Sequence, residues 1–190
     1  MSARSAQPRR MPRRSTAVAV TCLLAASLVG CTPPPTAPPT PTSTAIFASE
    51  EEALAAATDV LTRYNAAFDK ANSAGAKNWD ELEELVTQQH LTELEKPGVI
   101  NSNGWHTKGV STFSVVSVAS FESGESDSSI ALNVCRDVSG VRVLDASGQD
   151  VTPINRPDSV PLVVSLVTSD SEPSSLLVAK VDTWLNPASC

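Results

Sequence analysis

Among the 190 residues, the groups able to do acid-base, nucleophilic or metal chemistry are few and scattered. His90 and His106 are the only histidines. No Cys or carboxylate stands at ligand spacing beside either, so they do not spell a zinc site. His90 reads as a helix-end residue, and His106, flanked by Trp105, Thr107 and Lys108, as a surface one. Asp80, Glu81, Glu83 and Glu84 crowd one turn at a helix start, where carboxylates meet the positive end of the helix dipole. Calcium would need its ligands in a turning loop, and that pattern is missing. Tyr64, the only tyrosine, falls on an apolar helix stripe, from which it either packs in the core with its hydroxyl at the rim or reaches a cavity. Asp137 and Asp182 are carboxylates of strand-like segments and read as solvated. There is no glycine-rich phosphate loop and no serine in a nucleophile-elbow context, and Trp79, Trp105 and Trp184 are too dispersed for a sugar platform. No catalytic set, metal or cofactor is expected.

The elements that would hold these side chains divide the chain in two. Ser49-Glu50-Glu51-Glu52 fits a capping box, and Leu54, Ala57, Leu61, Tyr64 and Phe68 recur at three and four residues, predicting a helix from about Glu50 to Ala71. Asn72-Ser73-Ala74-Gly75 stops it. Asn78 with Glu81 marks a second cap, before a shorter helix from about Trp79 to Gln89 with Leu82, Leu85 and Val86 on one face, and a further turn or two over Leu91 to Glu95. Past Gly104 the texture turns β-branched, predicting five strands: Thr112 to Phe121, Ser128 to Arg136, Val141 to Asp145, Leu162 to Thr168 and Leu176 to Leu185. Ile130, Leu132 and Val134 share one face, as do Leu162, Val164 and Leu166, or Leu177, Ala179 and Val181. Short connections suit antiparallel hairpins. Helices first and strands afterwards give an α+β domain over 45–190, with helices packed on a curved antiparallel sheet.

Ahead of that domain, Arg4, Arg9, Arg10, Arg13 and Arg14 precede an uncharged, apolar run from Ser15 to Gly30. A basic stretch followed by an apolar one of that length is expected to be a signal peptide over 1–30, too short for a comfortable membrane span. Leu28-Val29-Gly30-Cys31 resembles the lipobox of bacterial lipoproteins, which implies lipidation of Cys31 and anchorage to the outer face of the cell membrane. Two or more acyl chains would make that attachment effectively permanent. From Thr32 to Thr44, six prolines and five threonines predict a polyproline-like spacer, completing a linker over 31–44. Without the five leading arginines, nine basic residues face 21 acidic ones, a formal net charge of −12. That balance opposes nucleic acid as a partner.

Cys22 leaves with the signal and Cys31 takes lipid, so Cys135 and Cys190 remain in an oxidising setting and are expected to form a disulfide. Two free thiols or a catalytic cysteine are the rival readings, though no histidine adjoins either position.

The order of capped helix, second helix, interrupted segment at Gly104-Trp105 and antiparallel meander resembles the cone-shaped fold of the nuclear transport factor two and ketosteroid isomerase superfamily. The stretches Cys135-Arg136-Asp137-Val138-Ser139-Gly140-Val141 and Val143 to Val151, with Trp184 and Cys190 at the end, resemble a segment found in small lipoproteins of high-GC Gram-positive bacteria. The superfamily's isomerases and dehydratases use an Asp, Tyr or His projecting into the cone, so the resemblance makes Tyr64 and Phe68 the candidate cavity-lining residues. Shape does not fix chemistry in such a superfamily. The first expectation is a non-catalytic, membrane-tethered domain that binds a protein partner or a small apolar molecule; the alternatives are an isomerase or dehydratase using Tyr64 with a strand carboxylate, and a homodimerising module.

Overall fold

The computed structural model describes residues 45–185 and Cys190. The signal stretch, Cys31 and the Pro/Thr-rich linker lie outside the described residues. Among the described residues no helix is long and apolar enough to cross a membrane.

Helix α1 spans Glu50–Ser73. Ser49 caps it by accepting from the Glu52 amide, and Glu50, Glu51 and Glu52 sit at the positive end of the helix dipole. Its end follows from backbone geometry. Gly75 takes a φ of +84°, and the Ala76 amide donates to Ala71 O while that of Gly75 donates to Asn72 O, the paired bonds that close a helix with a left-handed residue. The buried stripe is Ala53, Ala57, Val60, Leu61, Tyr64, Ala67 and Ala71, with Leu54 and Phe68 at its border.

The second helix differs from the expected Trp79 to Gln89. A single 3-10 turn covers Asp80–Leu82, with Asn78 Oδ1 accepting from the Asp80 amide, and α2 then runs over Gln88–Leu94. The helical pattern of Leu82, Leu85 and Val86 does not propagate because Val86 leaves the helix to bridge Val178, with Thr87 N donating to Val178 O and Val178 N to Leu85 O. Thr87, extended at φ −69° and ψ 153°, then caps α2. A short α3 follows at Val99–Ser102.

The strands are β1 His106–Lys108, β2 Thr112–Ser123, β3 Ser128–Asp137, β4 Arg142–Leu144, β5 Ser159–Thr168 and β6 Leu176–Thr183. They form two sheets where one was expected. β2, β3, β5 and β6 lie in that order, each antiparallel to its neighbour, while β4 pairs with β1 in a separate sheet. The His-Thr-Lys of β1 has no apolar alternation to mark it as a strand. Gly109, beside it, has a φ of +107°, and a Cβ there would lie 2.1 Å from Gly140 O, so only glycine lets these two backbones meet.

On the four-stranded sheet, Ile130, Leu132, Val134, Val164 and Leu166 face α1 as the alternation requires. In β6 the expected set is displaced: Leu176 and Val178 are buried, not Leu177 and Ala179. A register shift between Ser165 and Leu166, against Lys180 and Val178, leaves Ala179 as an extra residue and returns Val181 to the inner side. Two further shifts in β2 space its inward residues as Phe113, Val115, Val118 and Phe121. Bulges of this kind bend a strand and increase its twist. Cys135 and Cys190 are joined by a disulfide, with Cα atoms 5.5 Å apart.

Candidate functional site

Between α1, α2 and the inner face of the sheet lies a cavity of about 320 Å³. Its apolar wall comes from Leu61 and Phe68 of α1, Leu94 of α2 and Phe113, Val134, Leu162, Val164 and Val181 of the sheet. Tyr64, Asn65, His90 and Arg136 add the polar positions. Every strand of the larger sheet contributes, because the inward alternation of β2, β3, β5 and β6 points at one space.

Tyr64 and Phe68, four residues apart, project from the same face of α1 with their rings 5.8 Å apart. The Tyr64 hydroxyl lies 3.2 Å from His90 Nε2. His90 is buried, not a surface or helix-end group: Thr87 starts α2 late and so turns its third residue inward. Burial pushes the Tyr64 hydroxyl up to about 12, against the opposing charge of Arg136, and lowers His90 from its ordinary value, against the opposing charge of Glu93. Near neutral pH the pair is therefore an uncharged phenol beside an uncharged imidazole. In one tautomer Tyr64 donates to Nε2; in the other it accepts, and its own proton is free for a guest.

At a second polar point, Arg136 of β3 enters the cavity wall. Its guanidinium carbon sits 4.8 Å from the centroid of Phe68, Nη2 donates to Asp69 Oδ1 at 2.6 Å, and Nε donates to Ser111 Oγ at 2.9 Å. Asp69 also accepts from the Ser111 amide at 2.7 Å, and Asn65 Nδ2 donates to Ser111 O at 3.0 Å. Ser111, 2 % exposed, thus ties α1 to the start of β2 and fixes the arginine. None of Asn65, Asp69, Ser111 or Arg136 stood out as functional in the sequence. Their signal was Asn65 and Asp69, one helical turn apart and each next to a residue of the apolar stripe.

The remaining candidates lie elsewhere. Asp137 is exposed, and hydrogen bonds from Ser139 hold its carboxyl below the usual range. Asp182 is exposed and pairs with Lys180 at 2.9 Å. His106 sits in β1, paired with Leu144 of the smaller sheet. Asp80, Glu81, Glu83 and Glu84 are exposed, and Glu81 pairs with Lys70. Among the described residues no group of three His, Cys, Asp or Glu could hold a metal ion. Among the described residues no carboxylate lines the cavity.

Comparison with protein-family models and with curated proteins finds no match for the chain.

Proposed function

We propose that this chain is an extracytoplasmic lipoprotein, held by lipid on Cys31 at the outer face of the cell membrane, whose cone-like domain binds a small, mostly apolar molecule. The observation that carries the reading is the cavity of about 320 Å³ under α1, walled by Leu, Val and Phe side chains and furnished with a few fixed polar groups. That composition and a size at the lower end of ligand sites are what a small-molecule pocket requires. Its arrangement also supports the resemblance to the nuclear transport factor two and ketosteroid isomerase superfamily.

The test has two arms. In the first, the full chain is screened with small apolar molecules by ligand-induced shift of the melting temperature. Hits should raise Tm by an amount that grows with the logarithm of ligand concentration above Kd, and Leu162→Trp, which fills the cavity from β5, should abolish the shift. Absence of any hit, or hits that persist in the filled variant, would sink the binding reading. In the second, Cys31→Ser should release the protein from the membrane fraction; retention there would refute the anchor.

A second reading, an isomerase or dehydratase, is favoured by the Tyr64–His90 pair. It requires that Tyr64→Phe abolish turnover while leaving binding within a few fold.

A further inference from the structure

Arg136 gives the cavity a specificity that apolar lining alone would not supply. Its side chain is 20 % exposed and locked from three sides: Phe68 lies under its face, Asp69 takes Nη2 and Ser111 takes Nε. No described residue accepts a hydrogen bond from Nη1. An arginine presents five donors in a rigid fork, so fixing two of its nitrogens aims the third with little entropy left to lose when an acceptor arrives.

The charge around this fork is uneven. Among the described residues Arg136 is the only formal charge in the cavity lining, since Tyr64 and His90 are both uncharged near neutral pH. Asp69 stands behind the arginine, and its carboxylate is shared with the Ser111 amide at 2.7 Å and with Ser111 Oγ at 2.9 Å. The counter-charge is thus spread over donors outside the cavity, while Arg136 belongs to its wall. Arginine pairs with a carboxylate through charge-assisted hydrogen bonds, which are stronger than neutral ones.

The geometry points to a monocarboxylate carried on a compact apolar body as the ligand class: the carboxylate meets Arg136, and the body lies against Leu61, Phe68, Leu162 and Val164. This rests on the cavity being a ligand site. A cationic amphiphile is disfavoured by the same arginine, and a neutral one gains only the apolar contacts.

The experiment is calorimetric titration of the full chain, disulfide intact, with octanoate, octanol and octylamine, which share a linear eight-carbon skeleton and differ in the charge of the head. Octanoate should bind at least tenfold tighter than octanol, with octylamine weakest. In the double variant Asp69→Asn/Arg136→Gln, which keeps hydrogen-bonding groups at both positions and leaves net charge unchanged, octanoate should fall to within about threefold of octanol. Equal affinity of octanoate and octanol in the unaltered protein overturns the anion preference while leaving the cavity as a ligand site, and needs no variant to fold. A preference that survives in the double variant also overturns it, because Arg136 is then not its source. If none of the three binds, the ligand-site reading falls as well.

Discussion

Helix α1 packs on the sheet through the residues from Ala53 to Phe68, yet the two halves of that contact are built differently. Toward the hairpin between β2 and β3, Ala53, Ala57 and Val60 meet Ile130, Leu132, Leu166, Leu176 and Val178, all of them buried. Small residues on the helix let it approach closely, and Leu82, Leu85 and Val86 fill what remains. Toward the other end of the strands, α1 presents Leu61, Tyr64 and Phe68 to Val134, Leu162, Val164 and Val181, and between them lies the cavity. The helix residues there are larger, and polar groups enter. The same helix and the same strands thus give a solid core at one end and a furnished space at the other, so the distinction resides in side-chain volume rather than in topology.

The sharpest way to break this contrast is to truncate one leucine in each half. Leu132→Ala, at a site of 0 % exposure, should cost about 3–5 kcal/mol by urea denaturation, whereas Leu162→Ala, which enlarges an existing space, should cost about half as much or less. Equal losses would mean that the cavity end is as tightly packed as the core. Next in size, Cys190→Ser should cost about 2–4 kcal/mol in the same assay, because the bridge closes a separation of 55 residues. It should lower the melting temperature of the whole domain.

A smaller effect is expected at the cavity's polar edge. Asp69→Asn alone leaves Arg136, half sheltered, without its counter-charge and should cost about 1–3 kcal/mol. Adding Arg136→Gln should recover part of that loss, so the double variant is less damaged than the sum of the single ones. Strict additivity would show that the two residues do not act as a pair. Smallest is the response to acid. His90 has a lowered pKa in the folded protein, so the unfolded chain binds the proton first as pH falls through the ordinary histidine range near 6.5. Folding stability should therefore decline from pH 7 toward pH 5, and His90→Gln should flatten that slope.

The division into helices and strands was legible because apolar periodicity and capping are local. Ser49 and the glutamates that follow it, the stop at Asn72 to Gly75, and the alternation of β3 and β5 need no distant partner to be read. What escaped was decided at long range. Val86 leaves a helical pattern because Val178, 92 residues on, offers it a backbone bridge, and that departure is what turns His90 inward. Ala179 displaces the face of β6 because the neighbouring strand has one residue fewer in register. The clamp of Asp69, Ser111 and Arg136 draws on three separate segments, and each residue taken singly looks like an ordinary surface group. Tyr64 and Phe68 were visible as cavity candidates because both lie on one helix face; the arginine opposite them, on a strand whose inner side is otherwise Ser128, Ile130, Leu132 and Val134, had no comparable local pattern.

The bridge from Val86 to Val178 has a consequence for how these molecules behave when crowded together. β6 ends the four-stranded sheet, and a bare terminal strand invites another chain to add on. Here its backbone is already engaged at Val178, Ala179 kinks it out of line, and the charged pair of Lys180 and Asp182 occupies the stretch beyond. Each of these features opposes the addition of a further strand along this border.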